Sequence, residues 1–108
     1  MEVKNIAVDV VDNDHSTQSQ LLVQEIAHNT YFHFHALQPD YVMAVNDIEK
    51  SKADIALVIP QDYGRDLSLG KKPEVLIAAN AVNGTRGSIG AVYLSQIVPA
   101  NAQPSAKA

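Results

Sequence analysis

Acidic and hydroxyl side chains follow directly after the first apolar run of the chain. Residues 10–22 read VVDNDHSTQSQLL, in which Asp12 and Asp14 lie one residue apart and Ser16 follows closely. Acids at the end of a first strand can hold a metal ion or accept a phosphoryl group, and they can also cap the next helix. A phosphoacceptor site needs another acid after the third strand, but that apolar run ends in Pro60. We therefore expect helix capping by Asp14 or Ser16, whose oxygens accept from the free N–H groups of the first turn.

Four histidines offer nitrogen ligands. His33 and His35 form an H-x-H pair on one face of a predicted strand, and His15 and His28 flank it. Such a pair can begin a zinc site, but the sequence has no cysteine and shows no matching H-x-x-x-H or carboxylate cluster. We expect histidines at the surface or the rim of the sheet, and neither a metal nor a cofactor.

A glycine-rich stretch, NGTRGSIG, covers residues 83–90. Dinucleotide sites use G-x-G-x-x-G directly after a first strand, so both the spacing and the position differ here. Free N–H groups at a helix start could attract an anion, but close helix packing is the favoured role of Gly87 and Gly90. The spacing suggests no Ser-His-Asp or Cys-His arrangement, which predicts that the chain is not an enzyme. The candidate contacts for a ligand or a partner are Asp12, Asp14, Ser16, Asn80, Asn83, Thr85 and Arg86.

The composition fits one folded domain. The chain has 108 residues, of which 46% are hydrophobic and 19% are charged, so a core can form. Its net charge is −4 and its Lys and Arg residues are scattered, which argues against nucleic acid as a partner. Apolar runs such as residues 55–59 are far shorter than the roughly 20 residues of a membrane-spanning helix.

Apolar periodicity predicts alternating strands and helices. The order β-α-β-α-β-α-β-α indicates an α/β fold with a four-stranded, mostly parallel sheet covered by helices, and we expect the strand order 2-1-3-4. The direction of the fourth strand stays open. Strands are predicted over 5–11, 31–37, 53–60 and 73–79, and helices over 16–28, from 39 onward, over 62–70 and over 84–98. The expected sheet core is Ile6, Val8, Val10, Ile55, Leu57, Val58, Val75 and Ile77.

Two long segments together resemble the extracytoplasmic domain of type-2 permease subunits of ATP-binding-cassette exporters. They read IAVDVVDNDHSTQSQLLVQEI and DIALVIPQDYGRDLSLGKKPEVLIAANAVNGTRGSIGAVYLSQIV. The resemblance covers roughly residues 5–98, and LVIPQDYGRDLSLG is its most specific part. One departure is Asn80, where relatives often carry an acid. The matching positions are Val10, Val11, Asp12, Asp14, Ser16, Ala56–Pro60, Tyr63, Arg65–Leu67, Gly70, Val75–Ile77, Asn83, Thr85, Ile89 and Tyr93.

This resemblance implies a transport protein rather than an enzyme. Residues 1–98 would form one extracytoplasmic domain, and residues 99–108 would be a flexible linker toward a transmembrane helix. The full-length protein would lie in the cytoplasmic membrane, with one membrane helix before the domain and several after it. Its implied partners are a cytoplasmic ATP-binding subunit that hydrolyses ATP, a periplasmic adaptor (membrane fusion) protein, an exported small molecule and a second permease copy.

An alternative from a different class stays open at the level of the sequence. The chain could be a stand-alone cytoplasmic α/β module that binds a small anion or phosphate at residues 83–88, or a receiver-like signalling domain. Such a module would show a higher melting temperature with phosphate compounds. Flanking apolar segments of about 20 residues would instead support the exporter.

Overall fold

The protein alternates strands and helices, as predicted. The computed structural model describes residues 5–79 and 84–102, with side chains over 5–79 and 88–98. The strands are β1 (Ile6–Asp12), β2 (Phe32–Gln38), β3 (Ile55–Ile59) and β4 (Leu76–Ala79). The helices are α1 (Thr17–Ala27), α2 (Tyr41–Glu49), α3 (Tyr63–Ser68) and α4 (Gly84–Ala102). The last helix ends at Ala102 instead of at residue 98.

One sheet joins the four strands in the order β2-β1-β3-β4, which confirms the predicted order. β1 lies parallel to β2 and β3, whereas β4 is antiparallel to β3. A parallel crossover needs about a dozen residues or more, usually in a helix that crosses back over the sheet. The connection over residues 60–75 is long enough for such a crossover, but its helix α3 has only six residues, about 9 Å, and the chain returns along β3 in the opposite direction. The direction of the fourth strand, which the sequence left open, is therefore antiparallel to β3.

Hydrophobic side chains cover both faces of the sheet. On one face, Leu22 and Ile26 of α1, Tyr63 of α3 and Leu94 of α4 pack on the sheet. On the other face, α2 is the one helix of the described residues that covers the sheet. Of the predicted core residues, Ile6, Val8, Val10, Ile55 and Leu57 are buried, and Val58, Val75 and Ile77 are partly buried against the two clusters.

Two glycines have the roles that the sequence indicated. An added Cβ at Gly90 would lie 3.1 Å from a methyl of Ile6 and 3.3 Å from one of Ile55, so Gly90 lets α4 approach the sheet closely. Gly70 has a φ of 76° and follows α3. Its N–H donates to Leu67 and the next N–H to Asp66, which is the Schellman ending that glycine favours. The side-chain surroundings of Gly87 lie outside the described residues.

The length and the apolar character of the helices decide whether any of them could cross a membrane. Among the described residues, no helix combines the length and the apolar character that crossing a membrane requires.

Candidate functional site

The carboxylate of Asp12 organises the loop between β1 and α1. Its Oδ1 accepts hydrogen bonds from the N–H groups of Asp14 and His15, both at 2.9 Å. Its Oδ2 accepts from the hydroxyl of Ser19, also at 2.9 Å, and Ser19 is fully buried. Asp12 therefore stabilises a tight turn in which His15 adopts a left-handed φ of 59°.

Ser16 caps α1, which confirms one of the two residues expected in that role. Its hydroxyl accepts from the N–H of Ser19 at 3.0 Å, and the Ser19 hydroxyl accepts from the N–H of Ser16 at 2.9 Å. This reciprocal pair is a capping box, with serine in the place that Glu or Gln usually takes.

Asp14 has a different role, because it joins the two loops at the carboxyl ends of β1 and β3. Its Oδ1 accepts from the N–H of Asp62 and its Oδ2 from the N–H of Gly64, each at 2.8 Å. Both segments belong to the stretches that carry the family resemblance, so these bonds bring the two together. The three predicted residues Asp12, Asp14 and Ser16 thus have structural roles, and ligand binding by them stays a prediction.

The Asp14 contacts predict how stability depends on pH. Hydrogen bonds from the Ser16 hydroxyl and from the N–H groups of Gly64 and Asp62 hold the pKa of Asp14 below 3.8. Because the folded-state pKa is depressed, the stabilisation is fully present above the unfolded pKa and is lost as the pH falls through the folded one. We expect Asp14→Asn to lower the free energy of unfolding by about 1 kcal/mol at pH 7. Below pH 3.8 the difference from the natural protein should shrink. Urea unfolding between pH 7 and 3 measures the loss at pH 7 and its decrease at low pH. If the free energies of unfolding of the two proteins changed in parallel with pH, the stabilising role of the ionised Asp14 would be contradicted.

A second polar cluster lies beneath α2, on the opposite side of the sheet from α1. It consists of Asp9 in β1, His35 in β2 and Asp47 in α2, and is called the Asp-His-Asp cluster below. The His35 Nδ1 lies 2.8 Å from Asp9 Oδ1 and 3.4 Å from Asp47 Oδ2. Gln38 holds Asp47 from the side, because its Nε2 donates to Asp47 Oδ2 at 2.6 Å. Three elements therefore converge on one polar centre.

A β-bulge places His35 in this cluster. Val8 pairs with Phe34 and Asp9 pairs with Ala36, so His35 has no counterpart on β1. A bulge adds one residue to a strand and redirects the nearby side chains. Here the ring reaches Asp9, while 32% of the His35 side chain stays exposed.

The two carboxyl groups of the cluster affect each other's ionisation. Burial, together with the hydrogen bond to Asp47, raises the pKa of Asp9 to about 6. The same hydrogen bond lowers the pKa of Asp47. A hydrogen bond between the two carboxyl groups requires a proton on one of them, and these pKa directions favour Asp9 as the group that carries it. When both carboxyl groups are ionised, Asp9 Oδ2 has no hydrogen-bond partner among the residues that the structure describes, although Asp9 is fully buried.

Sequence reasoning missed this cluster as a unit. His33 is exposed, as expected, whereas the ring of His35 contacts two carboxylates that the sequence pattern had not connected with it. The available signal was an acid inside the apolar strand IAVDVV, which is unusual for a strand covered on both faces.

The remaining predicted contacts lie near the start of α4. Thr85 and Arg86 belong to its first turns, but their side chains fall outside the described residues. Asn80 and Asn83 also fall outside them. The structure therefore joins Asp12, Asp14 and Ser16 and leaves these four residues as predictions.

An open α/β sheet with one antiparallel edge and helices on both faces defines the structural class. The sequence model of a family described as ABC-2 family transporter protein matches residues 1–107. The chain belongs to this family.

A solved structure has the same fold. It is the crystal structure of a domain assigned to an ABC type-2 transporter from Thermotoga maritima MSB8, with a TM-score of 0.64 and 18% sequence identity. The match covers 88% of this chain and 65% of the other, so the chain spans a little less than two thirds of that domain. At this identity the likeness supports the fold alone. No curated protein is significantly similar to the chain.

Proposed function

We propose that this chain is the extracytoplasmic domain of an ABC exporter permease. It takes part in export by contacting the exported small molecule or a periplasmic adaptor protein. Residues 1–98 form the domain, and residues 99–108 begin the connection to a membrane helix, with α4 crossing that boundary. A separate cytoplasmic subunit binds and hydrolyses ATP, and a second permease copy completes the transporter in the cytoplasmic membrane.

The single observation that supports partner contact is the outer surface of α2. Tyr41, Val42 and Met43, called the α2 surface below, are 45%, 73% and 44% exposed. Ala44 and Ile48 are buried against the sheet, Val42 lies on the opposite side of the helix from them, and Tyr41 and Met43 flank Val42. A helix that is apolar on both sides favours a second packing partner, because exposed apolar clusters mark interaction sites. A shallow groove along this helix is lined by Tyr41, Val42, Met43, Val45, Asn46 and Glu49.

The expected location is tested by thiol labelling in cells. The chain contains no cysteine, so Lys72→Cys at an exposed position adds one label site to a full-length permease whose other cysteines are replaced. A membrane-impermeant maleimide should label Lys72→Cys in intact cells, because the domain faces away from the cytoplasm. A cytoplasmic cysteine introduced into the ATP-binding subunit is the control, and it should react only after lysis. If Lys72→Cys were labelled only after lysis, the proposed extracytoplasmic location would be wrong.

Partner contact is tested by photo-crosslinking from the α2 surface. A photoreactive phenylalanine at position 42 of the full-length permease should cross-link to another component outside the membrane, identified by mass spectrometry. The same residue at position 92 is the matched control, since Val92 is 54% exposed on α4 and lies on the opposite side of the sheet. Equal products from both positions, or none from position 42, would contradict a role of the α2 surface.

A further inference from the structure

We propose that Asp9, His35 and Asp47 bind one divalent transition-metal ion, with zinc as the preferred ion. The three residues offer one imidazole nitrogen and two carboxylate oxygens, which all lie within 4.8 Å of one another. This site lies apart from the α2 surface and does not depend on the proposed transport contacts.

The distances fit ligands that surround one small ion. Zinc binds nitrogen at about 2.0–2.1 Å and carboxylate oxygen at about 2.0–2.2 Å, so two ligands of a tetrahedron lie about 3.3–3.5 Å apart. The His35 nitrogen lies 2.8 Å from the Asp9 oxygen and 3.4 Å from the Asp47 oxygen. A widening of about half an ångström on the Asp9 side would admit the ion.

The buried oxygen of Asp9 points independently to a ligand. Asp9 is fully buried, and its Oδ2 accepts no hydrogen bond from any described residue. A buried polar atom without a partner is costly, and native proteins rarely keep one without a reason. A cation bound by both oxygens of this carboxylate would satisfy Oδ2.

Charge balance and orientation favour the same ion. Metal ligands bind in their deprotonated forms, so two carboxylates and an imidazole around the ion carry a charge of −2, which a divalent cation cancels. The Gln38 side chain donates to Asp47 and orients it, as second-sphere residues do around protein metals. The imidazole nitrogen favours zinc, cobalt or nickel over magnesium and calcium, which prefer ligand sets made of oxygen alone.

The site is also accessible to an incoming ion. β2 is an edge strand, and about a third of the His35 side chain is exposed. Solvent can therefore reach the open side of the cluster, where a water molecule can take the fourth position around the metal. The bound ion would tie β1, β2 and α2 together and stabilise the fold.

Titration calorimetry with zinc chloride on the metal-free 108-residue chain tests the proposal. The expected result is one ion per chain and a melting temperature that rises with zinc concentration. His35→Gln should weaken binding by a factor of ten or more, whereas His33→Gln, an exposed histidine in the same strand, should leave it unchanged. Magnesium chloride should produce neither heat nor a thermal shift.

Asp9→Asn separates metal binding from folding. The amide keeps the size of the side chain, can still accept from His35 and removes a buried charge, so its metal-free melting temperature should not fall. Zinc binding by Asp9→Asn should nevertheless weaken at least tenfold. If Asp9→Asn fails to fold, the zinc affinity of Asp47→Asn tests the same expectation. Absence of zinc binding by the natural chain, or equal binding by His35→Gln, would overturn the proposal.

Discussion

Gly64→Ala is expected to lower the free energy of unfolding by about 2 kcal/mol, within the range of overpacked sites. Gly64 lies in α3 and is buried against the start of α1. An added Cβ would lie 2.6 Å from Ser16 Oγ, 2.8 Å from Ser16 Cβ and 2.7 Å from Gln18 Oε1. Carbon atoms do not tolerate such distances, so one of the two helices would have to move.

The surroundings of Gly64 leave little room for that movement. The end of Gln18 can rotate away, but Ser16 is held at both its hydroxyl and its N–H by Ser19. A shift of α3 would lengthen the 2.8 Å hydrogen bond between the Gly64 N–H and Asp14. The cost therefore combines overpacking with a weaker connection between the two loops.

Urea unfolding measures this cost, and Gly70→Ala is the matched control. Gly70 has open space around its Cα but a φ of 76°, so alanine there adds backbone strain of about 1 kcal/mol and no steric clash. We expect Gly64→Ala to be the more harmful change. A smaller loss for Gly64→Ala than for Gly70→Ala would mean that α3 moves freely against α1.

Local sequence signals predicted most of the fold because they act over few residues. Alternating apolar residues located β1, and the serine before α1 and the glycine after α3 marked helix ends. The direction of β4 is set by its pairing with β3, which no local pattern in the connection over residues 60–75 reveals. The end of α4 also differs from the prediction, because residues 99–108 were expected to form a flexible linker and the helix continues to Ala102.

The sites were harder to predict because their contacts join distant residues. Asp14 and Gly64 are 50 positions apart, so the sequence indicated two turns and not the hydrogen bond between them. The Asp-His-Asp cluster depends on a bulge at His35, and a bulge breaks the two-residue alternation from which strand faces are inferred. Asp9 alone gives a local signal, and the register of β1 with β2 and the packing of α2 on the sheet bring the three residues together.

Asp12→Ala is expected to lower the free energy of unfolding by about 3 kcal/mol, because the change removes a carboxylate that accepts from three donors. These donors are the N–H groups of Asp14 and His15 and the hydroxyl of Ser19, each 2.9 Å from the carboxylate. The left-handed conformation of His15 would lose its main support, and the cap of α1 would loosen with it. Protection of the Asp14 and His15 amides from hydrogen exchange should fall along with the stability.

Asp12→Asn distinguishes lost acceptors from lost charge. Its amide oxygen can still accept from both backbone N–H groups, and its NH₂ group can donate to Ser19 Oγ. The Ser19 hydroxyl already lies 3.0 Å from the carbonyl of Ser16 and can turn its proton there, so the hydrogen-bond network survives in altered form. What the asparagine loses is the negative charge near the N-terminus of α1, a loss of about 1 kcal/mol or less. If Asp12→Asn lowered the free energy of unfolding as much as Asp12→Ala, the negative charge would stabilise the loop more than the hydrogen bonds do. The loop would then weaken with added salt, whereas a network of hydrogen bonds at a largely buried residue should be nearly insensitive to salt.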